Sequence, residues 1–562
     1  MTPHPSLENT MPRRITAARG PELRCKGWRQ ETILRLLENN LENAAIPEEL
    51  VVYGGNMKAA RDWDAFDAIV RALKELETDQ TLVVQSGKPV GVFRTSDDAP
   101  LVIIVNGVAT GSTEAETQEL FAKELLMVDG MTAGAWQYIG SQGIIQGTYE
   151  SFMQAARQSL GGSLRGRTIL TTGAGGMGGA QPLAGKLAGA SILVVDAEPS
   201  HLRRRIDEGY LDTMTDDIGA GVDEWLAAAT EERAASFGIA ANITEVLREL
   251  ADRGVVPDVV TDQTTTDPLH GYLPEGLDEA GAKYLLRTDP DELRRRSTAT
   301  LAEHVRGLLD LQRKGAIVFE YGNDLRKQAL EAGVEDAFEI GGFIDMFIRP
   351  LFCQGVGPFR IIAIQGDPDT IHAIDAMLLR EFADVPRVVD WLGRAKEIAF
   401  TGLPARVCWL GHTERTRAAL VVNDMIARGE ITGPVAFSRD HLDAGSVTAR
   451  YRETENMLDG SDCVGDWPLL NAILNGIAGA DLTSVIGWGF KGLNSGPTTI
   501  ADGTPEAGRR LKRVMDADTG LGVIRQADAG YPTAIATRES FGLGMPSCRG
   551  DGSVRAKRAP SR

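Results

Sequence analysis

The sequence predicts an α/β chain in which a doubly wound, parallel-sheet domain is inserted into a larger mixed α/β core domain. Three observations lead there. Between residues 142 and 345, short runs rich in Val, Ile and Thr alternate with segments long enough for crossover helices. A glycine-rich turn follows the first of these runs, and the segments before and after the region share a mixed pattern with many glycine turns. In order, the predicted strands are RTILTTG, SILVVDAE, SFGIAAN, PDVVTDQ and AIVFEYGN. Each is a short run rich in Val, Ile and Thr, separated from the next by a segment long enough for a crossover helix, the pattern of a parallel sheet. The flanks, 31–141 and 346–545, are expected to join into one core domain, with a cleft between it and the inserted domain. The polar, aperiodic ends, 1–30 and 546–562, are expected to be flexible tails, the second of them basic.

Composition narrows the function. The 562 residues carry 59 Lys+Arg against 78 Asp+Glu, a net charge of −19, which argues against nucleic acid or an anionic membrane as partner. A small-molecule substrate fits better. With 43% apolar and 24% charged residues the chain can bury large cores. No run of about 18 apolar residues is present, and the first 30 residues lack the apolar stretch of a signal peptide, so a cytoplasmic protein is expected. Cys25, Cys353, Cys408, Cys463 and Cys548 are widely spaced and odd in number, and the seven histidines show no HxH or HExxH spacing, so neither a disulfide framework nor a metal site is expected.

The strand RTILTTG runs into Gly173-Ala174-Gly175-Gly176-Met177-Gly178-Gly179, followed by the Ala-rich helical stretch AQPLAGKLAGA. As a GxGxxG motif, Gly173 permits the tight turn, Gly175 lets backbone approach a pyrophosphate, and Gly178 allows helix and strand to pack closely. The next strand ends at Asp196, eighteen residues beyond Gly178, where a carboxylate can accept from ribose hydroxyls and would repel a 2′-phosphate. NAD is therefore expected over NADP in a Rossmann-like domain. Glu198 is the alternative ribose carboxylate, or a solvated charge at a helix start. No His–Asp pair placed for hydride transfer is evident; Asp440-His441 is the nearest approach.

From about residue 46 to 540 the chain resembles the urocanase (urocanate hydratase) family. The resemblance rests on VVYGGNMKAARDW, LVVQSGKPVGVFRT, MTAGAWQYIGSQGIIQGTYE, GAGGMGGAQPLA, GVVPDVVTDQT, IRPLFCQGVGPFR, GLPARVCWLG, RDHLDAGSV, RETENMLDGSD and VGDWPLLNAIL. It implies a homodimer whose tightly held NAD+ acts as an electrophile: an imidazole carbon of the substrate adds to the nicotinamide, water enters, and NAD+ is regenerated with no net redox. The product is an imidazolone propionate. Matched to the family's motifs, the cofactor residues are Gly54, Gly55, Gly173, Gly175, Gly176, Met177, Gly178, Asp196, Asn242, Gln263, Thr264, Thr265, Tyr272, Leu273 and Tyr321. Tyr53 matches a tyrosine at the reacting centre that donates or relays a proton. Cys408 matches the family's active-site cysteine, with a buried structural thiol as the alternative. Arg360 matches a carboxylate-binding arginine. Asp443 and Asp440 are candidates for holding the ring N–H or for acid–base work. Gly130, Met131 and Thr132 fall at the substrate, and Arg452 either reinforces the anion site or forms an ion pair.

Several words depart from the family. The histidine-rich HHGGG loop is replaced by IGWGFKGLNSGPTTIADGT, QTSAHDP by Gln263-Thr264-Thr265-Thr266-Asp267-Pro268, a glutamine by Gly130, and an arginine by His201. These changes cluster on substrate- and cofactor-facing words while the framework words persist. They predict a pocket remodelled for a bulkier, less polar ring, with Met131, Trp488 and Phe490 either forming an apolar wall or simply packing. A urocanate bearing sulfur on the ring, thiourocanate or S-methyl thiourocanate from the breakdown of thiol-imidazole betaines such as ergothioneine, is the expected substrate. Ordinary urocanate of histidine catabolism is the alternative. Outside the class stand an NAD-dependent dehydrogenase and an inactive NAD-binding relative.

Overall fold

The computed structural model describes residues 13–53, 57–127, 129–439, 443–487 and 492–546. Gly54, Gly55, Asp440, Trp488 and Phe490 thus lie outside the described residues. Strands β1 (Gln80–Gln85), β2 (Lys88–Arg94) and β3 (Val102–Asn106) come first. They are followed by β4 (Thr168–Thr172), β5 (Ser191–Asp196), β6 (Thr213–Thr215), β7 (Ala235–Ala240), β8 (Val259–Asp262), β9 (Ile317–Glu320) and β10 (Gly341–Gly342). The last group is β11 (Gly357–Ala363), β12 (Ala405–Leu410), β13 (Val435–Arg439), β14 (Val447–Thr448), β15 (Leu482–Gly487) and β16 (Leu493–Ala501).

The middle group forms one sheet in the order β10-β9-β8-β4-β5-β7-β6, every neighbouring pair parallel. This is the Rossmann-like arrangement the sequence predicts, and the five predicted strands are β4, β5, β7, β8 and β9. The two short outer strands β6 and β10 carry too few residues to leave a pattern. Successive strands step away from β4 in opposite directions, so the switch point lies between β4 and β8, where a crevice opens at their carboxyl ends.

The other strands form a second sheet, β12-β11-β13-β16-β15-β3-β1-β2, with β14 on β16. Its join is the parallel pairing of β3 with β15, Val102 opposite Leu482 through Asn106 opposite Ile486, which unites strands from before and after the inserted segment. Leu82, Val84, Val102 and Ile104 turn one face of this sheet into a core shared with Ile69, Leu73 and Ile486. A larger core runs from Ile169 and Val194 in the parallel sheet, through Ile145 and Phe152, to Ile361 and Val407, so the sheets share packed side chains across the cleft. No described helix is long and apolar enough to cross a membrane.

One expectation is corrected. The segment from Arg13 onward does not hang free: Ala17 N–H donates to Glu42 at 2.9 Å, Arg24 pairs with Glu31 and Glu38 at 2.8 and 2.6 Å, and Arg35 donates to the Gly20 carbonyl at 2.9 Å. Polarity alone misleads here, because the partners are carboxylates on the helix Trp28–Glu42, whose own face is buried.

Candidate active site

The fingerprint glycines differ in the space around them. Gly173 has φ +83°, and a Cβ there would lie 2.7 Å from the Gln263 backbone. A Cβ on Gly178 would lie 2.1 Å from the Gly173 carbonyl oxygen, whereas one on Gly175 would meet nothing within 4 Å. The loop is therefore clamped at both ends and open in the middle, where a pyrophosphate needs room. Buried Arg205 braces it from behind, donating to the Ala174 carbonyl at 2.9 Å. Asp196 accepts from Ala174 N–H at 2.6 Å and from Glu198 N–H at 2.8 Å, with His201 Nδ1 at 3.1 Å. Glu198 itself accepts from Ser200 N–H at the start of the next helix.

At the switch point Asp262 ties three strand ends together. It accepts from Thr264 Oγ1 at 2.8 Å and Thr264 N–H at 3.2 Å, and also from Thr172 Oγ1 and Asn323 Nδ2. Burial pushes its carboxyl up to about 7. Gln263 donates through Nε2 to the Tyr321 carbonyl at 2.9 Å, and Asn242, capping the helix Ile243–Asp252, donates to the Leu273 carbonyl at 3.0 Å. Tyr272 OH lies 3.4 Å from His304 Nδ1, and burial holds its phenol well above the usual range.

These residues open onto one cavity of about 1050 Å³, at the upper end for a ligand site. Gly173, Gly175, Gly176, Met177, Gly178, Asp196, Asn242, Gln263, Thr264, Thr265, Tyr272 and Leu273 all line it. Tyr321 is different: its ring stacks on Phe343 at 4.2 Å, away from the cavity, and its contribution is the carbonyl that holds Gln263. The set fits a dinucleotide, with open backbone at the loop, a carboxylate at the second strand and polar side chains at the switch point.

The same cavity continues to Tyr53, Gly130, Met131, Thr132, Arg360 and Arg452. Tyr53 OH is 2.5 Å from Thr132 Oγ1, and its ring lies against Gly176 and 4.7 Å from the Tyr138 ring. Arg360 is buried, with Nη1 donating to the Gln137 carbonyl at 2.7 Å. Arg452 lines the cavity while its Nε stands 3.3 Å from Glu453, so the ion pair of the second reading is present. Gly130 and Met131 have φ of +70° and +72°, a conformation that costs a non-glycine residue about 1–3 kcal/mol. The expected vacancy at Gly130 is not simply empty: a Cβ there would lie 2.4 Å from Met57 Sδ. The site thus presents two thioethers, Met131, which the sequence named as a possible apolar wall, and Met57, which it did not mark.

Asp129, which sequence reasoning passed over, holds this turn. It accepts from Asn106 Nδ2 at 2.6 Å and from Gly134 N–H at 2.9 Å, and Asn106 Oδ1 accepts from Gly87 N–H at 3.0 Å. Burial pushes its carboxyl up to about 7. From about pH 4 to about pH 7 the folded state therefore keeps a proton that the unfolded chain releases, so this group makes stability fall as pH rises through that window. Asp129→Asn should remove that share of the slope, with the variant gaining stability relative to the parent between about pH 5 and about pH 8. Urea midpoints at the two pH values test this; a constant difference between the proteins would refute it.

Two predicted catalytic groups stand elsewhere. In the β11–β12 pairing Phe359 is opposite Cys408 and Arg360 opposite Val407. Neighbours along a strand point to opposite faces, so the face that brings Arg360 to the cavity turns Cys408 away from it. The Cys408 thiol is buried in the core, and burial raises its pKa, which keeps it protonated. This facing and burial favour the buried-thiol alternative over a reacting group. Asp443 accepts from Arg415 Nη1 at 2.9 Å and from Ala444 N–H at 2.8 Å and does not line the cavity. These contacts make it an ion-pair partner of Arg415 and favour neither of the roles expected of it, the ring N–H contact or acid–base work.

Family models cover most of the chain: the urocanase N-terminal domain matches residues 15–137, the urocanase Rossmann-like domain 140–347 and the urocanase C-terminal domain 350–540. The chain is similar to the S-methyl thiourocanate hydratase of Variovorax sp. (strain JCM 16519 / RA8), with 55% identity over 537 residues, 95% of this chain and 98% of the relative.

Proposed function

Because this chain belongs to the urocanase family and is a hydro-lyase of that family, we propose that it adds water to S-methyl thiourocanate, with NAD+ as its resident cofactor and no net redox. The observation that carries this reading is the 55% identity, spread over nearly the full length of both chains, with a relative bearing that activity. The cavity supports it, because the glycine loop, Arg360 and the two thioethers open into one space.

In this reading Gly175, Asp196, Asn242, Gln263 and Thr264 hold the dinucleotide. Bound there, NAD+ supplies an electron-poor pyridinium that draws density from the imidazole ring and so activates it toward water. Arg360 binds the substrate carboxylate through its guanidinium fork and fixes the acrylate in register. Tyr53, coupled to Thr132, moves a proton at the acrylate side chain, which takes up hydrogen while the water oxygen goes to a ring carbon. Met57 and Met131 form a soft, polarisable wall against the methylthio group. Arg452 adds positive charge at the rim. The balance is one water taken up and an imidazolone-type propionate formed. We further assign the protein to the cytoplasm, and its working form to a homodimer.

The test is to offer urocanate, thiourocanate and S-methyl thiourocanate separately and follow loss of each conjugated absorbance band together with NADH. Loss of the S-methyl thiourocanate band alone, without NADH, is the expected result. Comparable turnover of plain urocanate would favour the ordinary hydratase of histidine degradation, and stoichiometric NADH would refute the hydratase mechanism.

A further inference from the structure

The helix Asp466–Ala478 is amphipathic in the wrong sense for a monomer. Its inward face is polar: Asn471 and Asn475 donate to Asp518 at 2.8 and 3.0 Å, and Asn471 Oδ1 accepts from Ser495 Oγ at 2.8 Å and Arg439 at 3.2 Å. Its outward face is aliphatic, with Leu469 42%, Leu470 50%, Ile473 60%, Leu474 37% and Ile477 79% exposed. Turning the helix over would bury these five side chains but strand the Asn471–Asp518–Arg439 network, so the polar network fixes the apolar stripe outward.

Beside this helix lies an uncovered part of the second sheet. The helix Trp63–Glu75 covers one face of β1 to β3, burying Leu82, Val84, Val102 and Ile104. The opposite face carries Val83 and Ile103, half-buried, and the exposed Val105 and Phe93. It is continuous with the stripe: Ile103 is in register with Thr483 on β15, and Thr483 Cγ2 lies 3.9 Å from the Cβ position of Gly476 on the helix. The strands and the helix together expose on the order of 600 Å² of apolar surface, the upper limit for a monomer and near the share each partner gives to a standard interface.

We propose that the helix Asp466–Ala478 and the adjoining open face of β1 to β3 form the surface through which two copies of this chain associate. A second copy is favoured by charge. From Trp467 to Ala480 no charged residue occurs in a chain whose net charge is −19, and the exposed carboxylate of Asp98, beside Gly479, is paired with Arg513 at 3.2 Å, so two like-charged copies can meet on this stripe without opposing unpaired carboxylates. A two-fold axis would bring the same patch to both sides, laying the aliphatic stripe of one copy on uncovered apolar surface of the other. The proposal rests on the homodimer read above and specifies its surface.

Light scattering of the full chain at micromolar concentration should give twice 60.5 kDa for the parent and 60.5 kDa for the double variant Ile473→Asp, Ile477→Asp. Tyr284→Asp, an equally exposed position in the inserted unit, should remain dimeric. A folded double variant that stays dimeric overturns the surface while leaving the dimer intact. A monomeric parent overturns both. Should the double variant not fold, hydroxyl-radical footprinting of the parent decides: Ile473, Ile477 and Phe93 should be protected relative to Tyr284, and equal labelling would refute the proposal.

Discussion

Replacing Arg360 with alanine should raise KM for the substrate by roughly 30-fold to several thousand-fold, the ~2–5 kcal/mol that truncating a buried charge pair costs, while the dinucleotide stays bound. The expectation follows from position. Arg360 sits on β11 with Nη1 occupied by the Gln137 carbonyl, which fixes the plane of the guanidinium, and the residue lines the cavity on the side of Tyr53 and Thr132. A carboxylate placed against such a fork gains charge-assisted hydrogen bonds to a guanidinium that is itself buried. Arg360→Lys keeps the charge but loses the planar fork, so it should recover only part of the affinity. Steady-state kinetics with cofactor content measured in parallel separates the roles. An unchanged KM refutes the carboxylate assignment, and loss of cofactor would make Arg360 a structural support of the whole cleft.

The second large effect concerns the glycine loop. Gly178→Ala should abolish cofactor retention and also lower thermal stability by about 1–3 kcal/mol, because its new methyl would lie 2.1 Å from a backbone carbonyl that cannot swing aside. Gly175→Ala is the informative contrast. With nothing within 4 Å, its methyl should leave the fold and melting temperature unchanged while occupying the space into which a pyrophosphate would settle. The pair therefore separates packing from binding: one variant loses stability and cofactor, the other cofactor alone. Measurement of bound dinucleotide by absorbance, next to melting curves, checks both. A Gly175→Ala protein that retains its dinucleotide would contradict the loop's assigned role.

Local sequence carried much of this protein. The parallel sheet was legible because short Val-, Ile- and Thr-rich runs alternate with crossover-length segments, and the glycine-rich loop because its glycines stand at a fixed spacing, with close backbone approach at Gly173 and Gly178 and open space at Gly175. Long matching words identified the family. What a motif cannot convey is the direction in which a side chain points once strands pair. Cys408 and Arg360 were both read as site residues, yet the antiparallel register of β11 and β12 places them on opposite faces of one sheet. Asp443 was a candidate for the ring N–H or for acid–base work, and Arg415, on another element, claims its carboxylate.

Tertiary structure also supplied what local pattern had no means to mark. Asp129 and Asp262 have no motif of their own and matter because Asn106, Thr172 and Asn323 reach them from other strand ends. Met57 enters the site because a glycine at 130 leaves space that only folding brings to it. Periodicity and fixed spacing act within a few residues of chain, so the sequence by itself determined the fold class, the glycine-rich loop and the family. Facing, burial and pairing depend on contacts between residues hundreds of positions apart, and only the tertiary structure decided which side chains share the cavity.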